Sequence, residues 1–446
     1  GGIVTGMRRN LPADGTFDFL TSQAFSAGLD FEHTWSNREW ALHGFLAGSH
    51  VRGDSTAIIR LQRASNHYFH RPDALYVDMD STATSMTGSE WRLQLDKRSG
   101  QHWTGGVWVA QLTPGFEIND LGFSQSRERL DGGTRISYRE IQPGDIFRSY
   151  NASFTTYHNW SHDVLEADPF SWNEWGRAHT SGSFNLSGNL QFLNYWRVDG
   201  NIRYSPDRMS RTATRGGPLM EDPGNLSAGF RMHTDRRRAL SFSPGFEISR
   251  GRNDSGRSFR AGTGIQVRPS PRVEIEVSPA FNFQKEGAQY VTSTSVLPFQ
   301  DTFGTRYIFS DLERSTFSMD TRVNMTFSPK LSLQLFAQPF LSSGQYLTYK
   351  QLAGSESYEF LVFGEGEYRE DEEGNPRCLG GRSCLDAQGG VRHLDLDGDG
   401  TVDHAFRDRD FNLRSLIGNA VVRWEYRPGS TVFLVWQHRQ SAWANT

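Results

Sequence analysis

Alternating side chains recur along this chain, and they restrict its fold more than any other feature. In residues 315–328 ("STFSMDTRVNMTFS") one row carries Phe317, Met319, Thr321, Val323, Met325 and Phe327. The interleaved row carries Ser318, Asp320, Arg322, Asn324, Thr326 and Ser328. After a Ser-Pro-Lys turn the pattern resumes with Leu331, Leu333 and Leu335 against Ser332 and Gln334. Successive side chains of an extended backbone point to opposite faces, so these stretches read as strands with one apolar and one polar face. Residues 25–35 repeat it: Phe25, Ala27, Leu29, Phe31, His33 and Trp35 alternate with Ser26, Gly28, Asp30, Glu32 and Thr34. Segments 90–96, 240–249, 257–268, 273–284 and 419–426 behave alike, and helical periodicity is almost absent.

Such strands suit either a soluble sandwich, whose apolar faces form a core, or a membrane barrel, whose apolar faces meet lipid. Composition leans toward the second. The chain has 446 residues, of which only 36% are hydrophobic, while 45 are glycine. At ~150 residues per domain that length would hold about three ordinary domains with larger apolar cores. No run approaches the ~20 apolar residues of a membrane helix, and a barrel strand needs none because lipid-facing residues occupy every second position.

Connection lengths decide between the two. Short links fall at 36–38, 96–100, 142–145, 235–238, 268–272, 328–330 and 427–430. Between them lie longer connections at about 51–86, 113–132, 161–176, 206–224, 294–303 and 349–410, with 252–256 a short exception and the turn near 188–195 undefined. Alternation of short and long links is the pattern of periplasmic turns and external loops. The expected fold is therefore all-β: an antiparallel up-and-down transmembrane barrel occupying 1–446, with about 18 or more strands. With this parity roughly seventeen strands can be counted, the first and last both running outward, and 304–328 must be one long bulged strand. Bacterial barrels normally have an even number, so a further inward-running strand is expected after Thr446. Pro244, Pro279 and Pro339 fall inside strand patterns, where a paired backbone needs bulges or an extramembrane position to accommodate them.

Net charge is −4, which gives no footprint for nucleic acid. Only four basic residues are lysine (97, 285, 330 and 350), a bias that base composition explains more simply than phosphate binding. Cys378 and Cys384 lie in a polar loop and suit a short disulfide outside the cytoplasm, without C-x-x-C spacing. The chain opens "GGIVTG" with no signal peptide, as a mature or trimmed chain would.

Four segments carry a resemblance: "DFNLRSLIGNAVVRWEYRPGSTVFLVWQHRQ" (410–440), "RASNHYFHRPDA" (63–74), "RGGP" (215–218) and "FSPKLSLQLFAQPF" (327–340). Essentially the whole chain resembles an uncharacterised family of bacterial outer-membrane proteins known mainly through a domain of unknown function. That resemblance implies a barrel placed after an N-terminal domain similar to family-9 carbohydrate-binding modules. This carbohydrate-binding domain, and the first barrel strands, are expected to be missing before Gly1. The resemblance implies location and architecture but assigns no reaction.

The strongest local motif is "DLDGDGTVD" (395–403). Asp395, Asp397 and Asp399 stand at alternate positions, Gly400 permits a sharp bend, the Thr401 carbonyl takes position seven, and Asp403 takes position nine. This spacing can wrap the oxygens that Ca²⁺ requires, although position twelve is Phe406 instead of a bidentate Glu, leaving Asp408 or Asp410 to close the set. A solvated Asp/Gly turn is the simpler alternative. Calcium here would order the 349–410 loop together with the Cys378–Cys384 bridge.

Weaker candidates follow. "HNWSHDVLEAD" (158–168) offers His158, His162, Asp163, Glu166 and Asp168 for a transition metal, but polar loops collect such residues readily. Arg203, Arg211 and Arg215 share one parity, with Arg208 on the other. They read as lumen charges offset by acids such as Asp207, or as an anion-attracting stripe. His33, His43 and Ser26 would be raw material for a barrel hydrolase, yet no G-x-S-x-G supports them, and no enzyme is expected. The expected function is binding or passage of a polar solute such as a saccharide. The partners would be outer-membrane lipid and lipopolysaccharide, and the long loops extracellular. The alternative is a surface adhesive or structural protein partnered within the envelope, with no transport.

Overall fold

The computed structural model describes residues 1–125 and 127–444. Among the described residues seventeen strands follow one another in a single antiparallel meander, and the three-residue strand Phe360–Val362 adds an eighteenth to the same sheet. The first nine are β1 (Gly2–Arg8), β2 (Thr21–Trp35), β3 (Trp40–Gly53), β4 (Ser85–Lys97), β5 (Trp103–Leu112), β6 (Arg129–Glu140), β7 (Phe147–Trp160), β8 (His179–Phe192) and β9 (Arg197–Ser205). The next five are β10 (Asn225–His233), β11 (Leu240–Gly251), β12 (Gly256–Ser270), β13 (Val273–Thr294) and β14 (Arg306–Ser328). The last three are β15 (Leu331–Leu352), β16 (Phe411–Arg427) and β17 (Ser430–Ala444). Each pairs with its successor, and no pairing joins β1 to β17 among the described residues.

The connections keep the expected alternation. One end carries tight turns, such as Pro329–Lys330 between β14 and β15, and 193–196 supplies the turn that the sequence leaves undefined between β8 and β9. The other end carries 54–84, 113–128, 161–178, 206–224, 295–305 and 353–410, with 252–255 the short exception. Of the segment 304–328, residues Arg306–Ser328 form one strand, with register shifts at Ser310/Leu312 and Thr326/Ser328.

Both faces of this sheet are open. Leu29 is 69% exposed, Ile202 55% and Leu186 54%, and Leu46, Val109, Phe246, Phe281, Phe317 and Leu416 are exposed on the same face. A soluble sandwich would cover that row with a second layer. The opposite face bears Gln94, Asp96, Asn151, Asn201, Glu247, Arg260, Asn282, Asp320 and Arg322. It is the concave one. Polar-face residues Glu286 and Gln289 of β13 share a cavity of about 560 Å³ with Tyr68, Arg127, Thr212 and Tyr358 from four different loops. Arg177 before β8 also reaches Glu356 after β15 at 2.7 Å. Seven strand spacings would separate their roots by about 34 Å in a flat sheet, so the sheet curls.

The three prolines each fall where the ladder lapses on one side. Pro244 pairs toward Thr263 but lies beyond the last β10–β11 pair, Arg231 with Gly245. Pro279 pairs with Met319, while the β12 ladder is interrupted between Gly262–Ala280 and Ile265–Val277. Pro339 pairs with Leu416, while the β14 ladder breaks between Ser318–Phe340 and Thr321–Ala337. A missing N–H thus costs no pair that the neighbouring strand offers.

Candidate functional site

The long loops fold over the mouth of the curled sheet and lock together through buried charge. Arg71, with its side chain almost fully buried, pairs with Asp73 and with Asp163, both at 3.1 Å. Asp73 also accepts the Leu219 N–H, and Asp163 accepts the Leu75 N–H at 2.8 Å. Glu128, equally buried, receives Arg211, the Tyr76 hydroxyl and, at 2.8 Å, His162 Nδ1. Burial lowers the Arg211 guanidinium to about 10, so it stays charged at neutral pH beside Glu128. Four loops (54–84, 113–128, 161–178 and 206–224) are tied into one cap by these contacts.

A second buried pair braces the same cap. His67 Nε2 lies 3.0 Å from Glu117, and its Nδ1 lies 2.9 Å from the Pro114 carbonyl. The Asn66 amide nitrogen also lies 3.1 Å from His67 Nε2 and 3.3 Å from Glu117, so three side chains close this contact. Burial by itself would raise the Glu117 carboxyl, but hydrogen bonds from His67 and from the Asn119 N–H outweigh it and hold it below the usual range.

The residues gathered at 158–168 disperse. His158 Nδ1 meets His179 Nε2 at 3.0 Å, His162 joins Glu128, and Asp163 joins Arg71. Among the described residues they form no group of three metal-ligating atoms. The arginines disperse as well: Arg208 pairs with Asp222, Arg211 with Glu128, and Arg215 lies over the Tyr290 ring at 5.0 Å. Asp207 pairs with Arg252. His43 holds Asp96 at 2.8 Å on the polar face, whereas His33 stacks on Trp35 on the apolar one. Among the described residues no serine is hydrogen-bonded to His43.

The 353–410 connection is a small structured unit. Cys378 and Cys384 form a disulfide with an S–S distance of 2.01 Å and a Cα–Cα distance of 5.4 Å. Leu394 and Leu396, both fully buried, pack on Val291, Ile308 and Tyr349 of the wall and so fix the turn that follows. Asp395, 3% exposed, accepts backbone N–H groups from Gly398 at 2.6 Å and Gly400 at 2.8 Å. Both glycines are left-handed, with φ of 89° and 87°, which folds the loop around the aspartate. Carboxylate oxygens of Asp395, Asp397 and Asp403 lie within 4.8 Å of one another. Asp399 lies outside that group and accepts the Thr401 N–H at 2.7 Å, while the Thr401 hydroxyl receives Arg377 at 2.8 Å. Three of the four aspartates read from the spacing therefore converge, and among the described residues no Lys, Arg or His forms an ion pair with them. Each of the three also accepts a backbone N–H of its own loop: Asp397 from Asp399 at 3.1 Å and Asp403 from Leu396 at 2.6 Å, beside those of Asp395.

The 206–224 loop also dips along the polar wall. Its Arg208 to Thr212 segment and Arg92, Trp108 and Asp131 of the wall enclose a space of about 710 Å³. Loops thus fill part of the concave side of the sheet. Apart from Arg71 and Asp73, two residues apart, the cap residues stand at no spacing that single-sequence reading could pair, because their partners lie in other loops. The one usable signal was buried-type chemistry, Arg and Asp beside Tyr and Leu, in "HRPDALY" (70–76).

Comparison with curated proteins finds no match. Among solved structures, the siderophore receptor PirA from Acinetobacter baumannii is 8% identical, with 99% of this chain and 73% of that chain covered at a TM-score of 0.40. A mutant of the ferric enterobactin receptor PfeA from Pseudomonas aeruginosa, in complex with enterobactin, is also 8% identical. That comparison covers 98% of this chain and 67% of that one, again at a TM-score of 0.40. The profile of a domain of unknown function, DUF5916, matches residues 47–375, well over half of the sequence. The chain belongs to the DUF5916 family.

Proposed function

We propose that this chain is a bacterial outer-membrane β-barrel that binds or passes a polar solute, a saccharide being the favoured class. The observation that carries the reading is the uncovered apolar face, which runs around a sheet whose concave face is charged. Large exposed apolar surfaces need a partner, and lipid covers such a belt on every strand at once. Sugars are favoured because aromatic rings stand beside polar groups along the inner wall, Trp108 next to Asp131 and Phe336 next to Arg322. The long loops then face outward and the tight turns face the periplasm. Full-length protein in a planar bilayer is expected to give ohmic steps that maltooligosaccharide or oligogalacturonide interrupts. A silent bilayer, together with no saccharide binding in detergent, would remove this reading.

The exposed aromatics Phe170 (94%) and Trp172 (89%) in the 161–178 loop support the second reading, a surface component docked to an envelope protein. Co-extraction of one protein in mild detergent, lost in Trp172→Ser, would favour it.

Calcium belongs to the proposal as a structural ion held by Asp395, Asp397 and Asp403. Millimolar Ca²⁺ is expected to raise thermal stability, by about 2.7 kcal/mol at a hundredfold excess over Kd. Asp397→Asn, at an exposed ligand, should remove the shift while leaving the calcium-free melting unchanged. An identical shift in that variant would dismiss the site.

A further inference from the structure

Across β10 to β13 the polar face thins to bare backbone. Pairing places Arg231, Gly245, Gly262 and Ala280 in one row across these strands, and Gly229, Glu247, Arg260 and Asn282 in the row beside it. Three adjacent strands therefore present nothing larger than a methyl group at one level, which opens a recess about 10 Å wide. Its volume is about 640 Å³, and Asn201 and Asn189 add amides to its lining. Ligand sites commonly occupy about 300–1,000 Å³.

The charges around this floor are uncommitted. Arg197 nearby is bound to Asp199 at 2.6 Å, and across the lumen Arg129 is bound to Asp131 at 2.7 Å. Among the described residues no hydrogen bond or ion pair engages Arg231, Arg260 or Glu247. The two arginines start about 12 Å apart, from two strand spacings and a two-residue offset, so their side chains can reach a common point over the glycines. A guanidinium fork is matched to a carboxylate. Glu247 and the asparagines supply acceptors and donors for hydroxyl groups, and the flat floor leaves room for a ring.

We propose that this recess is a subsite for an acidic saccharide, one whose carboxylate is held by Arg231 and Arg260 and whose hydroxyls meet Glu247, Asn201 and Asn282. The inference rests on the polar-solute reading above and names its substrate class.

The test uses full-length protein in detergent and two probes, trigalacturonate and its fully methyl-esterified form. Calorimetry should show the acid binding at least 10-fold more tightly. Arg231→Gln/Arg260→Gln should weaken the acid by about 10- to 100-fold, as loss of charge-assisted hydrogen bonds implies, and leave the ester unchanged. Ala280→Leu keeps both arginines, fills the floor, and should weaken both probes. Unchanged circular dichroism of the variants secures the comparison. Equal binding of acid and ester, or acid binding indifferent to the double substitution, would overturn the subsite while leaving polar-solute binding intact. Absence of binding by either probe, with a conducting bilayer, would overturn the saccharide subsite alone. Absence of both binding and conductance would sink the underlying function.

Discussion

Replacing Arg211 by methionine is expected to loosen the loop cap by about 3–5 kcal/mol, the cost of leaving a buried carboxylate without its cation. Glu128 would retain the Tyr76 hydroxyl and His162, neither of which carries the fixed charge of a guanidinium. Hydrogen exchange should accelerate at 70–76, 127–129 and 161–164 together, because one network holds all three. The wall strands should keep their protection, since their ladders do not depend on the cap. Replacing both partners, as Arg211→Met/Glu128→Leu, should restore part of the loss, because neither charge is then stranded. Faster exchange at 210–214 alone would show that the four loops are not coupled.

Phe281→Arg is the second large effect. Phe281 stands in the exposed apolar row of β13, opposite Phe317 and Ala261. If that row meets lipid, a guanidinium there should cost about 2–4 kcal/mol toward the bilayer midplane. The neighbouring change Asn282→Arg points to the lumen and should stay within about 0.5 kcal/mol. Urea unfolding in lipid vesicles, with both variants in parallel, measures the contrast. A larger cost for Asn282→Arg would exchange the two faces and dismiss the barrel.

The wall was legible because its information is local. Alternation with period two assigns the faces of β14 from fourteen consecutive residues, and Pro-Lys or Arg-Pro-Gly pairs mark the tight ends. The turn at 193–196 escaped because "LNYW" contains neither Gly nor Pro; Tyr195 itself takes the left-handed conformation, with φ of 66°. The aspartate loop draws on the same local information: alternate aspartates and two glycines bring Asp395, Asp397 and Asp403 together, while the Asp399 carboxylate lies outside the group. Nothing local announced the cap. Arg211 finds Glu128 and Arg177 finds Glu356 across 83 and 179 residues, and only the curl of the sheet brings them together. His158, His162 and Asp163 are neighbours in sequence whose side chains leave in different directions.

Pro244, Pro279 and Pro339 stand on every second strand, and the lapses beside them fall in line at one level, in the β10–β11, β12–β13 and β14–β15 ladders. A hydrogen-bonded wall resists bending in proportion to the bonds a fold must break, and along this line several are already missing. The sheet therefore has a built-in crease, like a score mark in card, and the glycine floor of the recess lies beside it. Any change in the curl of the sheet, such as one driven by a ligand pressing on the floor, should be taken up there before the well-paired strands on either side yield.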